Sequence, residues 1–521
     1  MEHTPTRLID TSTGCLYDRK AQREAFETST EYKELLSSIT KLTDLRMERI
    51  RRVVVKFFGY VMLSHRWEGK EPLLHDIQSK SVYELNSVGS VKKLQRFCET
   101  ARDAGYRWAW SDTCCINKTD TVELPESITS MFRWYQHSAL TIVYLSDVLP
   151  LSGSGALASS KWITRGWTLQ EFLAPNIILF YRSNWTPYLD DHSDNHKEFI
   201  MKELKDVTGI DSRFHVAFRP GMKDPREKLQ WASKRVTEKP EDIAYSLFGI
   251  FGVHLPVIYG ENKQKALGRL LEEIVAQSRD ISVLDWVGKS SEFNSCLPAD
   301  ITMYGSKFKL QPLSDDGIQA SISSLRVAVD KDAALDLYNK LHCTNPPHFS
   351  NRRLHLPCIV FHVTKVKRRR DQDQDIYFTY DIEAKGLCDL PITTEKKLIQ
   401  FSRTKPAAQK FLLVRPWDRR LLELPDFSDD TESVDDSSPP ASPVDLPDGF
   451  PGEQESIGSE SSQPALRLIA HLKHPFRAFL LAQKCGEEYT RIMSDHEIIA
   501  QVKETTSIRN MMDCVTTVEV V

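Results

Sequence analysis

Between residues 60 and 181 short apolar runs alternate with longer stretches of helical period, and that rhythm restricts the fold more than any other feature of the chain. Tyr60-Val61-Met62-Leu63-Ser64 is an apolar run ending in polar residues, the pattern of a strand buried on both faces. Ser90 is a predicted cap for a helix in which Val91, Leu94, Phe97, Cys98 and Ala101 share a face, and Gly105 stops it. Residues 106–111 form the next predicted strand, which runs into Asp112-Thr113-Cys114-Cys115. A second helix is predicted from Glu126, with Ile128, Met131, Phe132, Tyr135 and Ala139 on one side, followed by a strand at 140–145. Gly- and Ser-rich residues at 151–160 read as a loop, 161–172 as a helix ended by Pro175, and 177–181 as another strand. Strands alternating with helices predict an α/β domain with a mainly parallel sheet flanked by helices. Ligands of such sheets sit at the carboxyl ends of the strands, where Ser64-His65-Arg66 and Asp112 fall.

The remaining text divides by composition. Residues 1–57 read as an N-terminal leader, partly helical: Arg7-Leu8-Ile9-Asp10 is a strand candidate, and 18–52 is charged. The same 18–52 stretch also reads as an insertion between an opening strand and the next element. The rhythmic core spans 58–172, its sheet continuing to about residue 190. Residues 196–288 are predicted helical, with Asn262 capping a helix that carries Ala266, Leu267, Leu270, Leu271, Ile274 and Val275. Short strand-like runs dominate 290–425, among them Cys358-Ile359-Val360-Phe361-His362-Val363, entered through Pro357 as suits a strand's first residues. Residues 426–464 are dense in Ser, Asp, Glu and Pro and lack the apolar surface to offset ordering entropy, so a disordered linker is expected. A last segment, 465–521, resumes with Leu466-Arg467-Leu468-Ile469-Ala470 and is expected to rejoin the β-rich region.

Bulk properties exclude several classes. With 68 basic against 72 acidic side chains and a net charge of −4, nothing points to a nucleic-acid partner or an anionic membrane. The first residues carry no basic segment followed by an apolar one, as a secretory signal would. The greasiest stretch, 243–259, is broken by Gly249, Gly252, His254 and Pro256 and is too short for a membrane span. Ten cysteines occur without a C-x-x-C pair, which argues against a zinc or disulfide framework and fits a reducing cytoplasm; no metal ligand set is expected.

Three blocks then stand in a telling order: Tyr60-Val61-Met62-Leu63-Ser64-His65-Arg66-Trp67, Trp110-Ser111-Asp112-Thr113-Cys114-Cys115-Ile116-Asn117-Lys118, and Arg165-Gly166-Trp167-Thr168-Leu169-Gln170-Glu171. Together they resemble the heterokaryon-incompatibility (HET) domain of filamentous fungi, over roughly residues 58–172. A fourth block resembles the segment that follows this domain in many members of the family. It comprises Trp231-Ala232-Ser233-Lys234-Arg235-Val236-Thr237 and Pro240-Glu241-Asp242-Ile243-Ala244-Tyr245-Ser246-Leu247, and continues to Tyr259-Gly260-Glu261. The resemblance covers about half the chain and says nothing about 300–521. One departure stands out: no nucleotide-binding P-loop or WD repeat follows, unlike some incompatibility proteins.

HET domains are in turn distantly similar to TIR domains, the NAD-cleaving and signalling modules of innate immunity. Leu63-Ser64-His65-Arg66 is similar to the first-strand motif of that family, and Trp167 with Glu171 to its W-x-x-x-E stretch with a catalytic glutamate. The resemblance implies a TIR-like fold with Glu171 as the catalytic residue. It implies Ser64, His65, Arg66, Trp67, Asp112 and Trp167 as substrate-binding residues and NAD as substrate, with no bound cofactor. It further implies a cytoplasmic trigger of programmed cell death that self-associates on activation. Its partner would be a non-self factor or another incompatibility protein, with neither nucleic acid nor a membrane span involved. Physical chemistry agrees with the glutamate. Breaking an N-glycosidic bond develops oxocarbenium character, which a positioned carboxylate stabilises. On a helix, residues 167 and 171 share one face.

Blander roles stand beside each of these. Glu171 is either a site residue or one more helical carboxylate in an ion pair. Trp162 and Trp167 are either core or ligand platforms, with core the default for an indole. His65 and Arg66 reach phosphate or ribose oxygens, or pair with Asp112 or Glu171. Asp112 orients a substrate hydroxyl or caps a turn. Cys114-Cys115 beside His65 suggests a thiol nucleophile, but buried cysteines are usually small hydrophobes. The charge run at 365–375 reads as a solvated hairpin loop. At the level of the domain, the alternatives are an NAD-cleaving enzyme, a non-catalytic signalling module that recruits cell-death partners, and an inert copy.

Overall fold

In the computed structural model, the described residues are 4–38, 43–189, 196–214, 218–306, 330–369, 377–395, 410–422 and 463–521, with scattered positions in 310–325 and 397–398. Two compact units account for them. One comprises 1–278 with 300–305, the other 279–299 with 306–521.

The first unit is built on one sheet. Its strands are β1 (Arg7–Asp10), β2 (Leu16–Asp18), β3 (Tyr60–His65), β4 (Trp108–Trp110), β5 (Leu140–Tyr144) and β6 (Ile178–Tyr181), in the spatial order β2-β1-β4-β3-β5-β6. The pairings β3–β4, β3–β5 and β5–β6 are parallel, whereas β1 joins β4 and β2 joins β1 antiparallel. All six residues of β3 are buried, as a central parallel strand requires. The helices α1 (Arg19–Thr28), α2 (Thr30–Ser38) and α3 (Thr43–Phe58) precede β3. Two more link the strands, α4 (Ser90–Asp103) before β4 and α5 (Glu123–Gln136) before β5. The expected mixed α/β architecture with a parallel-rich, helix-flanked sheet is what the chain forms.

Three local expectations need correction. The first 57 residues do not stand apart as a leader, because β1 hydrogen-bonds along β4, Ile9 opposite Ala109, and carries the fully buried Ile9 into the sheet's core. Ser90 begins α4 rather than capping it; the cap position is Gly89, at φ +56°, and the Ser90 hydroxyl donates to the Lys70 carbonyl. The helix predicted at 161–172 is shorter: 161–164 are turns, and only α6 (Thr168–Leu173) is helical, with all six residues buried. After the sheet come α7 (His196–Thr208), α8 (Pro225–Ala232), two single turns at Asp242–Tyr245 and Phe248–Phe251, and α9 (Lys263–Ser278), in keeping with the helical character read for this region. Gly249 lies where an added Cβ would meet Phe132 Cβ of α5 at 2.2 Å, so its lack of a side chain permits the close approach.

The second unit is β-rich. Its long strand β8 (Arg353–Arg368) is followed by β9 (Phe378–Ala384), β10 (Leu390–Thr394), β11 (Phe411–Pro416), β13 (Phe479–Cys485), β14 (Glu488–Ile492) and β16 (Val515–Val520); β7 (His348–Ser350) precedes it, and β12 (Phe476–Arg477) pairs with β15 (Ile499–Ala500). Because β16 pairs with both β14 and β8, the strands β8-β11-β13-β14-β16 close into a ring, from which β9 and β10 extend at the far end of β8. Alternate residues Leu354, Leu356, Cys358 and Val360 of β8 pack with Leu412, Val414, Phe479, Leu481, Val518 and Val520, joined by Leu284 and Cys296. The opposite face packs on α10 (Lys331–His342) and α11 (Gln463–Lys473), through Leu337, Leu341, Leu468 and Ile469.

The strands β13, β14 and β16 of the last segment thus belong to the same sheet as β8 to β11. Pro357 sits inside β8 rather than at its start. Its carbonyl accepts from Trp417 N–H, so its missing N–H faces the side where the β11 ladder has just ended, Pro416 lying opposite Cys358. The linker expected at 426–464 lies, except for its last two residues at the start of α11, outside the described residues, as does 370–375 of the charge run.

Candidate functional site

The chain runs from β3 through α4 to β4 on one side, then through α5 to β5 on the other side of β3. In a doubly wound sheet this reversal opens a crevice at the carboxyl end of the first strand. His65-Arg66-Trp67 leave β3 there and enter a cavity of about 540 Å³, a volume suited to a nucleotide-sized ligand. The loop behind them is pinned by a buried ion pair, Lys93 Nζ to Glu71 at 2.5 Å. Glu71 also accepts from the Glu68 N–H, and Lys93 reaches the Arg66 carbonyl at 3.4 Å.

Glu171, on the first turn of α6, reaches the cavity wall though it is only 6 % exposed. A relay of donors points at it: Trp162 Nε1 donates to Ser64 Oγ at 2.8 Å, and Ser64 Oγ donates to Glu171 Oε2 at 2.5 Å. Burial outweighs that hydrogen bond and the opposing charges of Arg165 and Arg235, and the carboxyl is pushed up to about 8. At neutral pH the resting group is therefore mostly protonated.

A second cluster surrounds Trp67. Its indole N–H donates to Asp112 Oδ2 at 2.8 Å, Lys118 Nζ lies 3.6 Å from the ring centroid, and the Arg165 guanidinium 5.3 Å from it. His65 is buried, and Asp112 Oδ1 is 3.8 Å from its Nε2. Burial, with help from the charges of Lys93, Arg165 and Lys118, drives its pKa well below the usual histidine range. It is a neutral imidazole, so the alternative of an ion pair with Asp112 does not form. Neither ring nitrogen has a hydrogen-bond partner among the described residues. Arg66 is exposed at the cavity mouth and makes no side-chain ion pair among the described residues.

The opposite wall comes from the fourth block. Gly166 N–H donates to the Val236 carbonyl at 2.8 Å and Val236 N–H to the Thr164 carbonyl at 2.7 Å, which stitches residues 235–237 alongside the start of α6. The buried Arg235 secures the joint, donating to the Arg165 carbonyl at 2.8 Å and Thr168 Oγ1 at 2.9 Å. The chains approach so closely that a Cβ on Gly166 would meet Thr237 Cγ2 at 2.4 Å. This wall carries Asp242, which accepts from Trp167 Nε1 at 3.1 Å and is pushed up to about 6 by burial. It also carries Tyr259, with Lys239 Nζ 3.4 Å from its ring centroid.

Of the seven residues read from sequence, His65, Arg66, Trp67, Asp112, Trp167 and Glu171 line one cavity. Ser64 does not. Successive strand residues point to opposite faces, and the fully buried Ser64 Oγ is spent on Trp162 and Glu171, so it positions the carboxyl and does not line this cavity. Trp162 is core and Trp167 is a wall residue, which separates the two roles weighed for them. Cys114 is buried, and hydrogen bonding with Cys115 together with burial raises its thiol well above the ordinary range, the reverse of an activated nucleophile. Lys118, Lys161, Arg165, Lys239, Asp242 and Tyr259 also line the cavity, beyond the residues that the sequence motifs single out. The signal for most of them was the second, third and fourth blocks, read as recognition marks rather than as walls. No group of three or more His, Cys, Asp or Glu side chains placed to hold a metal occurs among the described residues, and no helix there is long and apolar enough to cross a membrane.

A doubly wound sheet with an aromatic and cationic crevice over a buried carboxyl makes this an α/β domain with an open cavity at the carboxyl end of its central strand. Residues 60–159 match the family described as heterokaryon incompatibility protein (HET), and the chain carries a HET domain there. Vegetative incompatibility protein HET-E-1 of Podospora anserina is 40% identical over 228 residues, which is 41% of this chain. That match spans only 16% of the relative's own length. No solved structure matches.

Proposed function

We propose that this protein acts in vegetative incompatibility, as a cytoplasmic trigger of self/non-self cell death, and that its cavity cleaves NAD. The observation that carries the enzymatic part is the buried Glu171 carboxyl, held by Ser64 on the wall of an aromatic and cationic crevice. In the reaction the bond between ribose C1′ and the nicotinamide nitrogen breaks, and its electron pair leaves with neutral nicotinamide. Water forms the new bond to C1′ and loses a proton, giving ADP-ribose. The ionised Glu171 faces the oxocarbenium character of the transition state. The positive nicotinamide ring of the substrate favours that ionised form, and the Trp167 indole beside it offers a flat surface. Activity in the free enzyme is accordingly expected to rise with pH through about 8, the value to which burial lifts this carboxyl.

A non-catalytic module that recruits partners, or further copies of itself, is the second reading. It is favoured by apolar side chains exposed in and near the sheet's β6 edge, Ile177 at 53 %, Leu179 at 43 % and Leu151 at 99 %. Expression of the full chain and of Glu171→Gln in fungal cells separates the two. The enzyme reading expects death with falling cellular NAD from the native chain and neither from the variant. Death from Glu171→Gln with NAD unchanged throughout would leave the recruiting reading.

A further inference from the structure

We infer that Lys118 is the phosphate-binding residue of the cavity and that Trp67 and Asp112 serve to hold it there, so that the ligand is a phosphate-bearing nucleotide gripped at its diphosphate. The Lys118 ammonium lies inside the cavity wall, yet its nitrogen has no hydrogen-bond acceptor among the described residues. An ammonium taken out of water without an acceptor is costly, and a protein that keeps one beside a cavity reserves its donors for an incoming anion. His65 gives an independent second observation, a buried side chain aimed at the same cavity with both ring nitrogens unpartnered. As a neutral imidazole it offers one donor and one acceptor, which suits a ribose hydroxyl or phosphate oxygen. Arg66, Arg165 and Lys161 line the same space, so the charge available matches a diphosphate better than a single carboxylate.

Trp67 then changes role. With its N–H fixed on Asp112 and Lys118 stacked at 3.6 Å, the indole is a shelf for the ammonium, and base stacking falls to Trp167 and Tyr259 on the other walls. The choice of a dinucleotide rests on the cleavage reading, whereas the phosphate site does not.

Calorimetric titration of the purified full chain tests this, using ADP-ribose, pyrophosphate, inorganic phosphate and adenosine as probes, with Lys118→Met and Lys118→Arg as variants. ADP-ribose and pyrophosphate are expected to bind the native chain, and adenosine to bind far more weakly. Inorganic phosphate matching ADP-ribose would overturn the nucleotide assignment. Lys118→Met is expected to weaken ADP-ribose by about tenfold or more, the scale of one charge-assisted contact, and Lys118→Arg to retain part of the affinity. The thermal midpoint of Lys118→Met should equal or exceed that of the native chain, because holding an ammonium out of water without an acceptor costs more than its contact with the Trp67 ring returns. A lowered midpoint, or undiminished ADP-ribose binding, makes Lys118 structural and overturns the inference. NAD turnover without Lys118-dependent binding sinks this inference alone, and Lys118-dependent binding without NAD turnover sinks the cleavage reading alone.

Discussion

Glu171 concentrates the physics of the site. A carboxyl whose pKa is raised in the folded chain binds a proton there that the unfolded chain has already lost, so it draws stability away as pH rises from the ordinary glutamate value of 4.5 to about 8. Glu171→Gln keeps the shape and removes the charge. Its unfolding free energy should match that of the native chain near pH 4.5 and exceed it above pH 8, by on the order of a few kcal/mol. Equal curves across that range would mean the carboxyl is not buried as described. Ser64→Ala removes the one hydrogen bond that favours the ionised form, so the rising limb of an NAD-cleavage profile should move to higher pH, with Trp162→Phe moving it less. The three blocks made Glu171, Trp167 and His65 legible from sequence. Ser64 stands behind the wall rather than in it, because one-dimensional text does not say which face of β3 a residue takes.

At the scale of elements, the decisive feature is the seam between residues 164–166 and 235–237. Replacing Gly166 by Ala forces a methyl into Thr237, and we expect a loss of about 2 kcal/mol or more in chemical denaturation. Gly153→Ala, in an exposed loop with nothing near its Cβ position, should change little. Strand and helix periods exposed most elements of the sheet, since each reflects local burial. They did not expose the seam, the pairing of β1 with β4, or the true length of α6, because partner choice is set by contacts far apart in sequence. Pro357 misled for the same reason: only the end of the β11 ladder beside it makes it tolerable within β8.

For the whole molecule, the division of the chain is not linear. Residues 279–299 pack with the C-terminal sheet, Leu284 and Cys296 joining its core, while 300–305 return to the first unit, where Tyr304 stacks under Arg226 at 5.1 Å. Two separate cores predict two calorimetric transitions. Gly166→Ala should lower one, and Leu413→Ala, which empties a fully buried position of β11, the other. A single transition shifted equally by both variants would show one cooperative body. The alternation of apolar runs announced the first unit. The closure of the second into a ring was not legible, since β16 reaches β8 across more than a hundred residues.

The most direct test of the account is NAD turnover by the purified full chain held in forced clusters, followed as nicotinamide release from pH 6 to 9. Release is expected to climb through about pH 8 and to fall by about a hundred- to a thousandfold in Glu171→Gln, the scale expected for loss of a principal charge-stabilising group. Intact NAD with the clustered native chain, or equal release by the variant, would contradict it.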